Sequence, residues 1–282
     1  GLGDVYKRQY MEIPQKNDDN ALEMYTLQCR NHILKPLAEK YGIDTSDEAI
    51  RAAVEQHNEV CRLIRAIGDF RKEANPRVTG YEFHILTLVS YVAPKHLIVD
   101  KLRETLEEIK TREPDAADKY RARVVFVGSA VDDVDVIRLV EESGAYVCAD
   151  RFCYGSLPGR DEILLNDDED VVKQVCRQVQ GRAQCPRYWD MAKMTGRRDY
   201  VADLAKEYGA DGIIYEQMKF CDPWAYERMI GTIVLRDEHG YPVLAVDRPY
   251  SIGSSGQMRT RVQAFVCLLY TSPSPRDISG SR

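Results

Sequence analysis

The chemistry open to this chain lies first in its eight cysteines, at positions 29, 61, 148, 153, 176, 185, 221 and 267. No two are spaced as CxxC. The nearest pair, Cys148 and Cys153, has four residues between its members, which is weak as a metal signal. Cys221 is the best-placed thiol. It follows the apolar run Gly212-Ile213-Ile214-Tyr215 and precedes Asp222, which can cap a helix, and Pro223, which suits its first turn. A thiol there sits beside the unpaired N–H groups of a helix N-terminus. That setting favours the thiolate, the form that binds metal. A buried structural cysteine satisfies the same spacing. Cys29 and Cys61 fall on apolar helical stripes and read as small core residues. His57 shares the stripe of Cys61 and reads as an interface residue. Cys148 reads as a strand residue and Cys176 as one on a helix face.

A second feature is Gly253-Ser254-Ser255-Gly256, which opens the last helical pattern. Its N–H groups could hold an anion, whether a phosphate or a polarised oxygen. The spacing is not GxGxxG, no Walker lysine is present, and an ordinary helix start has the same composition.

These residues need elements to position them. Val124–Val127, Ala145–Cys148, Gly212–Tyr215 and Pro242–Val246 are short apolar runs. Helical patterns lie between and after them, at 133–142, 168–182, 196–208, 223–235 and 255–266. Such alternation predicts a parallel sheet covered on both faces, an α/β lobe over 121–266. In such sheets the site lies outside the carboxyl ends of the strands. Those ends deliver Gly128 and Ser129, then Asp150 to Ser156 with Cys153, then Glu216 to Cys221, then Asp247 to Gly256. Residues 10–120 read as the remnant of a first lobe and a helical linker, helical from Asp18 to about Thr111 and then a charged linker. Leu22, Tyr25, Cys29 and Ile33 recur at helical spacing, and Thr45-Ser46-Asp47-Glu48 starts a second helix whose face carries Val54, His57, Cys61 and Ile64. The ends look foreign: residues 1–9 are unpatterned, and 267–282 break off an amphipathic helix into a Ser/Pro/Gly tail, so both are expected to be non-native.

Composition narrows the class. A net charge of −6 with interspersed signs argues against nucleic acid as a partner. No apolar run approaches the ~18–20 residues of a membrane span. A cytoplasmic protein with reduced thiols is expected.

Three segments together resemble one family. They are Gly212 to Trp224, containing Phe220-Cys221-Asp222; Tyr250 to Phe265, containing Gly256-Gln257-Met258-Arg259-Thr260-Arg261; and Gly128-Ser129 through Ala149-Asp150-Arg151-Phe152-Cys153-Tyr154-Gly155-Ser156. The chain is similar over residues 10–266 to the 2-hydroxyacyl-CoA dehydratase and benzoyl-CoA reductase subunits. The resemblance implies two Rossmann-like lobes, here a C-terminal lobe preceded by a helical segment from an incomplete first α/β lobe. It implies a [4Fe-4S] cluster held by three cysteines, with Cys221 as the last ligand and the other two in the first lobe, ahead of Tyr10. It also implies a paralogous second dehydratase subunit, an ATP-dependent iron–sulfur activator and an acyl-CoA substrate.

By the same resemblance, one activating electron turns the thioester into a ketyl radical anion that expels the 2-hydroxyl. Ser254, Ser255, Gly256 and Gln257 would line the cluster and thioester pocket. Arg259 and Arg261 would support that loop or offset charge, or form surface ion pairs, and Asp222 would cap beside the ligand. Cys153, at a strand end, is the other thiol best placed to approach the crevice, and Cys185 matches a position where many relatives carry cysteine. As an incomplete subunit the chain is expected to be inactive alone. A benzoyl-CoA reductase subunit, an accessory cluster carrier and a metal-free binding module are the alternatives.

Overall fold

The structure is a computed structural model that describes residues 11–114, 119–156, 161–182, 184–188, 191–250 and 255–271. The chain divides into two compact units, one of residues 1–58 with 162–194 and one of 59–161 with 195–282. This differs from the boundary expected at 120/121. The helices after residue 59 group with the sheet, and residues 162–194 group with the N-terminal segment, because packing follows apolar faces rather than chain order.

In the first unit, α1 (Asp19–Gln28) starts at Asp18, whose carboxylate accepts from Ala21 N at 2.9 Å. It runs into a π-helical segment, Cys29–Leu34, and then α2 (Lys35–Tyr41), which ends on Gly42 in the left-handed region. The extra residue per turn breaks the expected stripe, so Leu22 and Tyr25 are buried while Ile33 is exposed. Helix α3 (Asp47–Asp69) begins in this unit, with Ser46 Oγ accepting from Ala49 N at 3.3 Å. The apolar centre of the unit joins Leu22 and Tyr25 to Val172 and Cys176.

The second unit contains α4 (Gly80–Val92), α5 (Lys95–Thr111), β1 (Ala122–Val127), α6 (Val134–Glu142), β2 (Ala145–Arg151), β3 (Gly212–Met218), α9 (Asp222–Asp237), β4 (Val243–Arg248) and α10 (Ser255–Thr271). Between β2 and β3 the chain forms α7 (Val171–Arg182), in the first unit, and α8 (Met191–Glu207). The sheet is wholly parallel in the order β2-β1-β3-β4. Its central strands are apolar on both sides because helices cover both faces. One layer buries Phe126, Ile214, Val262 and Phe265, and the other buries Val125, Ile213, Leu204 and Trp224. Val60, Ile64, Ile67 and Phe83 make a third cluster with α5. All four expected strands are present. Helix α10, however, runs five residues past the expected limit of 266, to Thr271, and buries Leu269 against the sheet core. An apolar side chain that repeats the helical period from Phe265 extends the helix whatever the composition of the tail. Residues 1–9 and 272–282 lie outside the described residues.

Candidate active-site region at the strand ends

Strand order places a switch point between β1 and β3, where the chain leaves β1 toward β2 and later returns on the other side. In such sheets the crevice outside those two carboxyl ends is the favoured site. Gly128-Ser129 follows β1, and Lys219-Phe220-Cys221 follows β3.

Ser129 joins three of these ends. Its N–H and its hydroxyl both donate to Glu216 Oε2, at 3.0 and 2.9 Å. Its hydroxyl oxygen accepts from Met218 N at 2.7 Å, and its carbonyl accepts from Cys153 N at 3.2 Å. The loop bearing Cys153 and the strand leading to Cys221 are thus both held by one buried serine. Gly128 allows the approach: a Cβ there would lie 2.8 Å from the Glu216 carbonyl oxygen. Glu216, expected at the mouth, is instead fully buried inside β3. Arg248 Nε lies 2.9 Å from Glu216 Oε1 as an ion pair, off the hydrogen-bond direction. The Arg248 guanidinium donates to the carbonyls of Pro249 (3.1 Å), Tyr250 (3.0 Å) and Ala130. Burial raises the Glu216 pKa above the ordinary carboxylate value, while Arg248 and the Ser129 donors pull it back down.

Cys221 is the N-cap of α9, with φ −94° and ψ 85°. Its carbonyl accepts from Ala225 N at 3.0 Å, the first helical bond. The expectation that Asp222 caps is therefore corrected by one position. Asp222 is the first helical residue, its charge still favourable beside the positive end of the helix. The shift arises from the turn before it: Cys221 N donates to Met218 O at 3.1 Å, and Phe220 takes φ 71°, in the left-handed region. The Cys221 side chain makes no capping bond, is half-buried, and packs against the Trp224 layer. Trp224 anchors α9, with the Arg151 guanidinium over its ring at 4.7 Å.

Cys153 is exposed beyond the end of β2. Cys148 lies inside β2, where the pairing with β1 skips it between Val147 and Ala149. Burial pushes its thiol up to about 11. Cys61 is buried in the apolar stripe, as expected, and Cys185 is half-exposed in the first unit. Asp150, also expected at the mouth, is buried in an ion pair with Arg71 at 3.1 Å. Its other oxygen accepts from Ser156 N at 2.7 Å.

The expected Gly/Ser loop falls partly outside the described residues, Ser254 among them. Helix α10 starts at Ser255, and Gly256 and Gln257 are exposed on its first turn. Gln257 and Arg261 line a cleft of ≈ 320 Å³ with Lys219, Asp247 and Arg248. Arg261 also donates to Ala245 O at 2.6 Å, covering the edge strand β4. Arg259 points elsewhere, to Glu142 at 2.9 Å, as a partly exposed ion pair. Tyr250 donates to Asp132 at 2.5 Å, linking the ends of β4 and β1.

A three-cysteine cluster site can be tested against this arrangement. Among the described residues there is no group of three or more His, Cys, Asp or Glu side chains able to hold a metal ion. Cys221 is set as a single ligand would be, at a helix N-terminus beside the switch point, but the described residues do not complete the set. No helix among them is long and apolar enough to cross a membrane.

The family model described as "2-hydroxyglutaryl-CoA dehydratase, D-component" matches residues 4–268. The chain is 25% identical over 255 residues to the (R)-phenyllactyl-CoA dehydratase beta subunit of Clostridium sporogenes, covering 90% of this chain and 66% of that protein. It is 24% identical over 261 residues to (R)-2-hydroxyglutaryl-CoA dehydratase subunit beta of Acidaminococcus fermentans, covering 91% and 67%. It is 23% identical over 223 residues to a benzoyl-CoA reductase subunit of Thauera aromatica, covering 78% and 56%. The alignments thus span about two thirds or less of the length of these relatives.

Proposed function

The chain belongs to the 2-hydroxyglutaryl-CoA dehydratase D-component family, and from that premise we propose that it is a subunit of a 2-hydroxyacyl-CoA dehydratase, a lyase that removes water from a 2-hydroxyacyl thioester. The observation that carries the reading is the family match over residues 4–268, combined with a cysteine at the helix N-cap beside the sheet's switch point. Relatives named as beta subunits support a partner subunit. The second, paralogous dehydratase subunit and an ATP-dependent activator are part of this proposal, as is inactivity of the chain alone.

Cys221 is proposed as one thiolate ligand of a [4Fe-4S] cluster. The described residues supply one thiol of the three that such a cluster needs, so the electron-transfer chemistry implied by the resemblance is not built from them alone. Their own part is binding and shaping. Ser129 and Glu216 fix the loops that carry Cys153 and Cys221. Lys219 and Arg261 outweigh the Asp247 carboxylate in the cleft at the ends of β3 and β4, and Gln257 adds an amide. That lining suits the carbonyl and anionic portions of an acyl-CoA.

The test is anaerobic reconstitution with ferrous iron and sulfide, with and without a co-expressed second subunit. It is followed by assays of enoyl-CoA formation from 2-hydroxyacyl-CoA thioesters and of ring reduction of benzoyl-CoA. With the second subunit present, water elimination is expected, with iron content falling in Cys221→Ala, and the chain alone should not turn over. Unchanged iron in that variant would sink the ligand assignment. Ring reduction without elimination would favour the benzoyl-CoA reductase reading that the Thauera relative supports.

A further inference from the structure

We infer that Cys29 and Cys176 form a redox modification site, a dithiol that low-molecular-weight disulfides convert into an intramolecular disulfide. Both belong to the first unit, whereas the strand-end residues belong to the second. The proposal stands apart from the reading of those strand ends.

The geometry is that of a pair. Cys29 ends α1 and Cys176 lies on α7, 147 residues away in sequence, with their sulfurs 3.5 Å apart in a thiol–thiol hydrogen bond. A disulfide needs the sulfurs at ~2.05 Å. Closing that gap takes movement of the two sulfurs toward each other. Cys29 is where the α-helix gives way to the π-helical Cys29–Leu34 segment. A π-turn accommodates an extra residue and has a less regular hydrogen-bond ladder than the α-helix. Apolar neighbours Leu22, Tyr25 and Val172 hold the two helices together around the pair.

The two thiols differ as an attacking and a resolving cysteine should. Cys29 is half-buried and reachable, and Cys176 is 3% exposed. The hydrogen bond from Cys176, aided by one from Tyr25 and opposed by burial, lowers the Cys29 thiol to about 7. Its partner is pushed up by the same bond and by burial. Cys29 is thereby the thiol of the pair that reaches the thiolate, the nucleophilic form, first as pH rises. The lower basicity costs some nucleophilicity, but near neutral pH the larger thiolate fraction outweighs it.

The chemistry balances in two exchanges. The Cys29 thiolate attacks one sulfur of a small disulfide, forming a mixed disulfide and releasing one thiolate. The Cys176 sulfur then attacks Cys29 Sγ, the second small thiol leaves, and the Cys176 proton goes to it. The protein loses two electrons and two protons, and the small disulfide is reduced to two thiols. The product ties α1 to α7, the two chain segments that make up this unit.

The test treats the full chain anaerobically with oxidised glutathione at pH 7, quenches with an alkylating agent and maps tryptic peptides. The expected product links residues 17–30 to 174–177, forms before any other disulfide, and is reversed by reduced glutathione. Cys176→Ser should stop at glutathionylated Cys29, and Cys29→Ser should slow reaction at position 176 at least fivefold. The wild-type map does not depend on the variants folding. A stable glutathione adduct on wild-type Cys29 without the cross-link, a faster disulfide elsewhere, or the same preference in denaturant would each overturn the proposal.

Discussion

The Ser129 hydroxyl donates to Glu216 Oε2 at 2.9 Å, inside the sheet and next to its switch point. Strand ends in parallel sheets are usually left open for ligands. Here the pair ties the ends of β1 and β3 together, and the chain leading to Cys153 and Cys221 is held by the same serine. The candidate site lies beyond that tie, toward Cys221 on one side and the cleft with Gln257 and Arg261 on the other.

Removing that hydroxyl has a calculable cost. Ser129→Ala takes one donor from buried Glu216 and one acceptor from Met218 N–H. Guanidinium chloride unfolding should show a loss of about 1–3 kcal/mol, since both partners are left short of a bond away from water. Gly128→Ala should cost at least as much, because its new methyl meets Glu216. Wild-type stability in both variants would show that the strand ends are not held this way.

Buried charges elsewhere should be less forgiving. Glu227 on α9 pairs with Arg197 at 2.9 Å and Arg198 at 3.0 Å, and its side chain is 4% exposed. Glu227→Ala leaves two guanidinium groups near the core without their carboxylate. A loss of about 3–5 kcal/mol is expected. A midpoint unchanged in denaturant titration would contradict it.

Stability should also depend on pH through Glu141. This side chain accepts from Gly80 N (2.8 Å), Tyr81 N (3.1 Å) and Val147 N (3.3 Å), yet burial still raises its pKa from 4.5 to about 7. A carboxyl whose pKa is raised on folding binds more protons in the native state. Stability from this group is therefore greatest below pH 4.5 and is lost as pH rises toward 7, by about 3 kcal/mol in all. In Glu141→Gln that part of the decline should vanish. Parallel curves for the two proteins between pH 5 and 8 would refute the assignment.

Phe220 combines a left-handed φ of 71° with 98% exposure, immediately before Cys221. An exposed aromatic ring gains nothing by burial that would offset the backbone cost of ~1–3 kcal/mol. Phe220→Gly should raise the thermal midpoint, with a net gain of about 0.5–1 kcal/mol after the added freedom of the unfolded chain. If the ring serves the site, the reconstituted complex should lose activity or iron as it gains stability. A destabilised variant would mean that Phe220 packs in solution.

What the sequence by itself determined is local. The apolar runs at 124–127, 145–148, 212–215 and 242–246 specify strands, and the helical period specifies α6, α9 and α10, because each pattern acts on neighbouring residues. Cys221 at a helix start was legible for the same reason. Its exact place as N-cap was not, since that depends on the turn through Phe220. Tertiary structure alone decided the strand order β2-β1-β3-β4, which puts Ser129 against a glutamate 87 residues away. It buried Glu216 and Asp150, which an open-ended reading of the strands places at the mouth. It also brought Cys29 to Cys176. Each of these is a pairing between distant segments, chosen by which apolar faces pack and which buried polar groups find partners. No periodicity within one segment encodes it.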